Sequence, residues 1–316
     1  MLSRAAEAVY WMSRYVERAE RTARLVEVNL QLALDLPAGM TEDWAPLLLT
    51  SGSEPLFRAR FAEARRPTVV AFLAFDAENP SSVLSCLGAA RENARSVREH
   101  LSPEMWEQLN RFYLMVRAAS ASAGEAPHEL FAEIRIASHL FAGVTDATMS
   151  HGEGWRFGRL GRCLERADQT SRGLDLQHYL PPAAVEDVRW SAVLRSAGAY
   201  EMYRRRHGAI AATPVAEFLI LDRGFPRSIQ YAVSEAGDSL HALSGSPPGT
   251  FQNPAERGLG RLRAELDYAR IDEIVATGLH PFLHGLRDRL NEVGDAISQT
   301  FFAPGPVTDA GEGLGV

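Results

Sequence analysis

The sequence contains no lysine: all 33 of its basic residues are arginine. A Walker-type phosphate loop needs a lysine on the phosphates. Schiff-base and pyridoxal enzymes need one as a nucleophile, and protein-kinase chemistry uses another. Those three classes are excluded, although codon bias is a sufficient cause of the absence. Cysteine is scarce as well. Cys86 and Cys163 are the only two, too few for a disulfide framework, which points to a reduced cytoplasm. No apolar run is long enough to span a bilayer, so no membrane segment is expected. The opening MLSRAAEAVYW carries charge early and lacks an apolar stretch, so no signal peptide is expected either. A basic surplus is missing too. The net charge of −7 speaks against a general binder of nucleic acid or anionic membrane.

What is present fits a globular protein. The chain has 316 residues, 46% hydrophobic and 23% charged, enough for one large domain or two ordinary ones. Comparing the chain with itself uncovers a second copy of its opening segment. RYVERAERTARLVEV (14–28) returns as RCLERADQTSRGLDL (162–176). Arg14, Glu17, Arg18, Ala19, Thr22 and Arg24 match Arg162, Glu165, Arg166, Ala167, Thr170 and Arg172. Glu20 and Glu27 match Asp168 and Asp175 conservatively. Further matches follow in the same order: Trp44 with Trp190, Leu48 with Leu194, Gly52 with Gly198, Arg58 with Arg204 and Arg60 with Arg206. Then VVAFLAFDAENPSSV (69–83) answers VAEFLILDRGFPRSI (215–229). Three collinear matches imply a tandem duplication, with a first repeat over 1–148, a second over 149–303 and a disordered tail over 304–316.

Almost every segment has helical periodicity, and alternating β-type runs are absent. Ala5, Val9, Met12, Val16, Ala19, Ala23, Val26 and Leu30 recur at three- and four-residue steps. They predict one long helix over 3–35, stopped by Pro37 and Gly39. Asn79-Pro80 reads as a cap and first turn for a helix running to His100, and Ser102-Pro103 as another start. Further helices are expected over 127–148, 154–178, 226–243, 254–275 and 279–302, with shorter ones within 183–222 and a loop over 244–254. The expected architecture is therefore all-α: two bundles of antiparallel helices about a pseudo-twofold axis.

On a helical wheel Glu17, Arg24, Glu20 and Glu27 share a stripe between about 220° and 300° from Arg14. Arg18 and Thr22 lie on the other edge of the apolar face. Glu17–Arg21 and Glu20–Arg24 have favourable i, i+4 spacing, each contributing about 0.3–0.5 kcal/mol if exposed. Exposed pairs stabilise too little for their identity to matter, so the recurrence of the same types in both copies implies partial burial. The candidate element is therefore Arg14, Glu17, Arg18, Glu20, Arg24 and Glu27 with Arg162, Glu165, Arg166, Asp168, Arg172 and Asp175. It can be a structural network of ion pairs, or it can line a cleft.

A di-metal bundle would need Glu-x-x-His on facing helices. No histidine sits at that step, and Arg24 and Arg172 would compete for the carboxylates, so no metal or other cofactor is expected. Asp76 and Ser82, with Asp222 and Ser228, flank helix starts and read first as turn and cap residues. His280 and His284 have i, i+4 spacing but read as surface or packing residues. Arg65-Arg66 and Arg204-Arg205-Arg206 read as solvated patches, and Trp44 and Trp190 as core anchors. Cys163 replaces Tyr15 in the matched helix, which argues against a nucleophile.

YWMSRYVERAERTARL, RENARSVREHLSPEMW (91–106), GWRFGRLGRCLERADQTSR (154–172) and FLILDRGFPRSI (218–229) resemble the bacterial alpha-E domain family over about 1–303. The resemblance implies an all-helical fold without an established activity. It also implies the company of circularly permuted ATP-grasp ligases and transglutaminase-like proteases, and a part in peptide- or amide-bond chemistry. Two functions are left open. One is an accessory module that partners an ATP-grasp-type ligase or its peptide substrate. The other is an enzyme of amide or peptide modification, with Glu17 or Glu165 as general base and nearby arginines holding a substrate carboxylate.

Overall fold

The structure is a computed structural model that describes residues 1–34, 42–121, 128–179 and 186–303. The first part of the chain forms α1 (Ser3–Leu34), α2 (Ala45–Ser51), α3 (Glu54–Arg58), α4 (Arg66–Ala74), α5 (Val83–Ser96), α6 (Pro103–Ala121) and α7 (His128–Thr148). The second forms α8 (Glu153–Tyr179), α9 (Glu186–Ser196), α10 (Tyr200–His207), α11 (Ala212–Leu221), α12 (Ile229–Ser244), α13 (Pro254–Tyr268), α14 (Ile271–Thr277) and α15 (Leu279–Ile297). Among the described residues there is no strand, and the protein is all-α. No described helix is long and apolar enough to cross a membrane. The expected stops at Pro37 and Gly39, and the expected tail over 304–316, lie outside the described residues.

The periodic residues of α1 are all buried, but so is nearly everything else along its middle. From Val16 to Val28 only Arg18 keeps partial exposure. Helices buried on every side are central ones, and α1 packs on α5, α7 and α8. Helix α8 is buried in the same manner and packs on α12, α15 and α1. The short helices cross over: α2 packs on α8, and α9 packs on α1. Close approach of the two long helices depends on Gly161, where an added Cβ would run into the Tyr10 carbonyl oxygen. Among the described residues the buried apolar side chains form two cores. That of the second half takes in Ala6 and Tyr10 of α1, and that of the first half takes in Leu176 of α8. The π-helical turn 298–302 closes over this seam by setting Phe302 against Tyr10, with ring centroids 5.3 Å apart. Trp44 and Trp190 are both buried core anchors, as expected. Burial of so large an apolar side chain contributes about 2–3 kcal/mol.

Two local expectations need correction. Asn79-Pro80 does not open a helix. The Asn79 amide donates to the Phe72 carbonyl at 3.0 Å, its oxygen accepts from the Ser81 amide, and Ser82 caps α5 instead. Asn79 is buried, and the free carbonyl at the end of α4 recruits it. The same dipeptide at Asn253-Pro254 does cap α13, with Asn253 accepting from the Glu256 amide at 2.9 Å. The helix expected over 254–275 is broken, because Ala269 and Arg270 are extended between α13 and α14. No proline or glycine marks that break; it lets Ile274 turn into the core.

Candidate functional site

The seam between α1 and α8 gathers most of the candidate charges, and it does so reciprocally. Arg18 of α1 grips Glu165 of α8 through Nε at 2.6 Å and Nη2 at 2.8 Å. Arg166 of α8 grips Glu17 of α1 through Nε at 2.9 Å and Nη2 at 2.8 Å. Each helix thus offers a Glu-Arg dipeptide whose carboxylate is held by the other helix's guanidinium. Both contacts are two-pronged, the strongest geometry for this pair. Each glutamate also receives a second arginine. Glu165 accepts from Arg14 Nε at 2.9 Å and from Gln169 at 3.0 Å. Glu17 has Arg227 Nη1 at 3.7 Å.

Glu20 is fully buried. Its Oε1 accepts from Arg24 Nε at 2.9 Å, and its Oε2 accepts from Arg227 Nη1 at 3.0 Å. Asp168 keeps the matching partner, with Arg172 Nε at 2.8 Å. Its Oδ1, however, is buried without a hydrogen bond among the described residues. Glu27 pairs with Arg135 of α7 at 3.1 Å. Asp175 takes Arg287 Nη2 at 3.0 Å and His280 Nδ1 at 2.6 Å, both from α15. Arg162 is the candidate that does not join: its Nε is buried and finds no hydrogen-bond partner among the described residues. The place that Arg14 fills beside Glu165 is filled beside Glu17 by Arg227.

The i, i+4 pair of Glu17 with Arg21 does not form either. Arg21 instead donates to the backbone carbonyl of Ser196 in α9. Burial pushes the Arg21 guanidinium down, to about 9, still charged at neutral pH. Reciprocity extends to two glycines. Gly52 follows α2 and Gly198 follows α9, both left-handed with φ of +70° and +62°. Arg172 of α8 comes within 3.2 Å of where a Cβ at Gly52 would stand, and Arg24 of α1 does the same at Gly198.

The electrostatics follow from these contacts. Burial alone would raise Glu17, Glu20 and Glu165, since it penalises a charged carboxylate. For Glu17 the charges of Arg166 and Arg227 outweigh burial and hold it low. Arg227 and Arg24 do this for Glu20, and Arg14 and Arg18 bring Glu165 down to about 2. A general base near neutral pH needs a pKa near the working pH, and these carboxylates are held well below it. Burial pushes the Cys86 thiol up to about 12 and raises Cys163 as well, so both stay protonated thiols. No group of three or more His, Cys, Asp and Glu side chains is placed to hold a metal among the described residues.

Asp76, Asp222, Ser82 and Ser228 lie apart from the seam carboxylates, in matching turns. Ser82 accepts from the Ser85 amide and Ser228 from the Tyr231 amide, both at 3.1 Å. Asp76 and Asp222 accept backbone amides of their own turns and pair with Arg60 and Arg206. The second turn also serves the seam. Thr170 donates to the Arg227 carbonyl at 3.0 Å and Arg166 to the Pro226 carbonyl at 3.2 Å, which fixes Arg227 over Glu20.

Arg227 was invisible to the self-comparison because Ser81 stands opposite it when 69–83 is aligned with 215–229. Arg135, Arg287 and His280 had a readable signal: the spacing His-x6-Arg occurs at 128 and 135 and again at 280 and 287. His280 is therefore an acid-bound residue of the seam, while His284 pairs with Asp288 on the surface, as expected.

An all-helical body whose two long central helices exchange Glu-Arg forks defines the class of protein. The chain belongs to the Alpha-E family, a predicted alpha-helical domain with a conserved ER motif, whose model matches residues 1–302. It is similar to an uncharacterised protein of Mycobacterium bovis and to two from strains of Mycobacterium tuberculosis. Each is 26% identical over 95% of this chain. The chain spans only 37% of the length of those relatives. No solved structure matches it.

Proposed function

We propose that this protein is a helical interaction module of a peptide- or amide-bond-forming system, docking on an ATP-grasp-type ligase or holding its peptide substrate in the cytoplasm. The observation that carries this reading is the state of the paired glutamates. Glu17, Glu20 and Glu165 are buried, charged and occupied by arginine: Glu17 and Glu165 join α1 to α8, and Glu20 holds Arg24 and the turn that carries Arg227. The matched packing of α1 with α5 and α7, and of α8 with α12 and α15, supports descent of both halves from one duplicated unit. The relatives' greater length supports a module that works beside further chain.

The test is co-expression with a tagged ATP-grasp-type ligase encoded beside this protein. Retention of the untagged chain through size exclusion, at a fixed ratio, is the expected result. A ligase that elutes alone at micromolar concentrations of both proteins, with its activity unchanged by this chain, overturns the reading.

A further inference from the structure

A cleft of about 250 Å³ opens where α1, α7, α9 and α10 meet. We infer that it binds a compact oxyanion, either a phosphate or a free carboxylate. Three arginines line it, Arg24, Arg135 and Arg195, and Arg24 and Arg195 each bring a donor that makes no hydrogen bond among the described residues. Arg24 is only 7% exposed. Its Nε and Nη2 are spent on Glu20, whereas Nη1 makes no hydrogen bond among the described residues and lies against Gly198 at the cleft. Arg135 gives Nη2 to Glu27 at 3.1 Å. Its Nε lies 3.1 Å from the other Glu27 oxygen, so Arg135 is engaged with Glu27 and adds charge to the cleft wall rather than a free donor.

Arg195 is exposed and makes no ion pair with a carboxylate among the described residues. Its guanidinium sits 4.1 Å from the centre of the Tyr200 ring. Stacking on an aromatic face orients a guanidinium while leaving its in-plane donors free for a planar acceptor.

Charge balance points the same way. The cleft's own lining sets Arg24, Arg135 and Arg195 against Glu27 and Glu201, a balance of one positive charge. This local positive excess stands in a chain of net charge −7. Size limits the ligand, because the cleft is smaller than the roughly 300–1,000 Å³ of drug-sized sites. It suits an anionic group with its waters, or the end of a chain whose remainder stays in solvent. Glu201 at the rim is unpaired among the described residues and repels the anion.

The test is isothermal titration of the full chain in a phosphate-free, low-salt buffer. The probes are inorganic phosphate, alanyl-alanine and the C-terminal amide of that dipeptide. Saturable 1:1 binding of phosphate alone identifies phosphate as the source. Binding of the dipeptide acid but not its amide identifies a peptide carboxylate. In either case Arg195→Gln weakens binding about tenfold or more, the effect of losing a charge-assisted contact, and Glu201→Gln strengthens it. Arg195 is exposed, and its variant is checked for an unchanged helical spectrum. The inference is overturned if neither anion binds saturably, or if Arg195→Gln and Glu201→Gln both bind as the wild type does.

Discussion

Replacing Glu165 with glutamine tests the seam directly. The change removes one negative charge and almost no volume, so its cost is electrostatic rather than a cavity. Glu165 is fully buried and accepts four hydrogen bonds, from Arg14, Arg18 (two) and Gln169. The amide offers one acceptor and turns an NH₂ group towards guanidinium donors. The gap between the folded value of about 2 and the ordinary 4.5 corresponds to roughly 3 kcal/mol.

Breaking a buried pair from one side typically costs about 3–5 kcal/mol. Arg14 and Arg18 retain side-chain exposures of 17% and 21%, so water softens the loss towards the lower figure. The expected destabilisation at pH 7 is therefore about 3 kcal/mol, read from urea unfolding midpoints at constant m-value. The pH dependence carries the sign. A carboxylate held low in the folded state stabilises fully above its unfolded value and loses that effect as pH falls from about 4.5 through about 2. The difference between wild type and variant should shrink by more than half by about pH 3. A cost below about 1 kcal/mol, or a difference that stays constant from pH 7 to pH 3, would refute the reasoning.

Other substitutions probe the matched turns. Ser82→Ala and Ser228→Ala should each cost about 1 kcal/mol in thermal or urea unfolding, the worth of a helix cap. Their effects should add in the double variant, because the two caps share no partner. Gly198→Ala should cost about 1–2 kcal/mol, because alanine resists φ near +62° and its Cβ would stand 3.2 Å from Arg24 Nη1. Gly245→Ala is the control, with a φ of +71° and no atom within 4 Å of its Cβ position. Equal costs at the two glycines would show that the approach of Arg24 is slack.

The long helices were legible because burial imposes a 3.6-residue period, and α1 and α8 follow it closely. The seam charges were legible only through repetition, since one copy of RYVERAERTARLVEV looks like any solvated helix face. Helical spacing misassigned Glu17 to Arg21, because a neighbouring helix offered a better fork in Arg166. Wheel geometry also left Arg18 at the edge of the apolar face, where its long side chain can cross to α8. Asn79-Pro80 failed as a helix start for a similar reason: a buried carbonyl claimed the asparagine.

By itself the sequence determined the all-helical class, the Glu-Arg repeat and the residue types that must be buried, because periodicity and within-chain recurrence are one-dimensional signals. Only tertiary structure decided which arginine holds which glutamate. Guanidinium forks reach across helices, and a partner is set by which backbone lies within that reach and not by distance along the chain. Arg227 is the clearest case: nothing near it in sequence marks it, yet a docked turn carries it 207 positions back along the chain to Glu20.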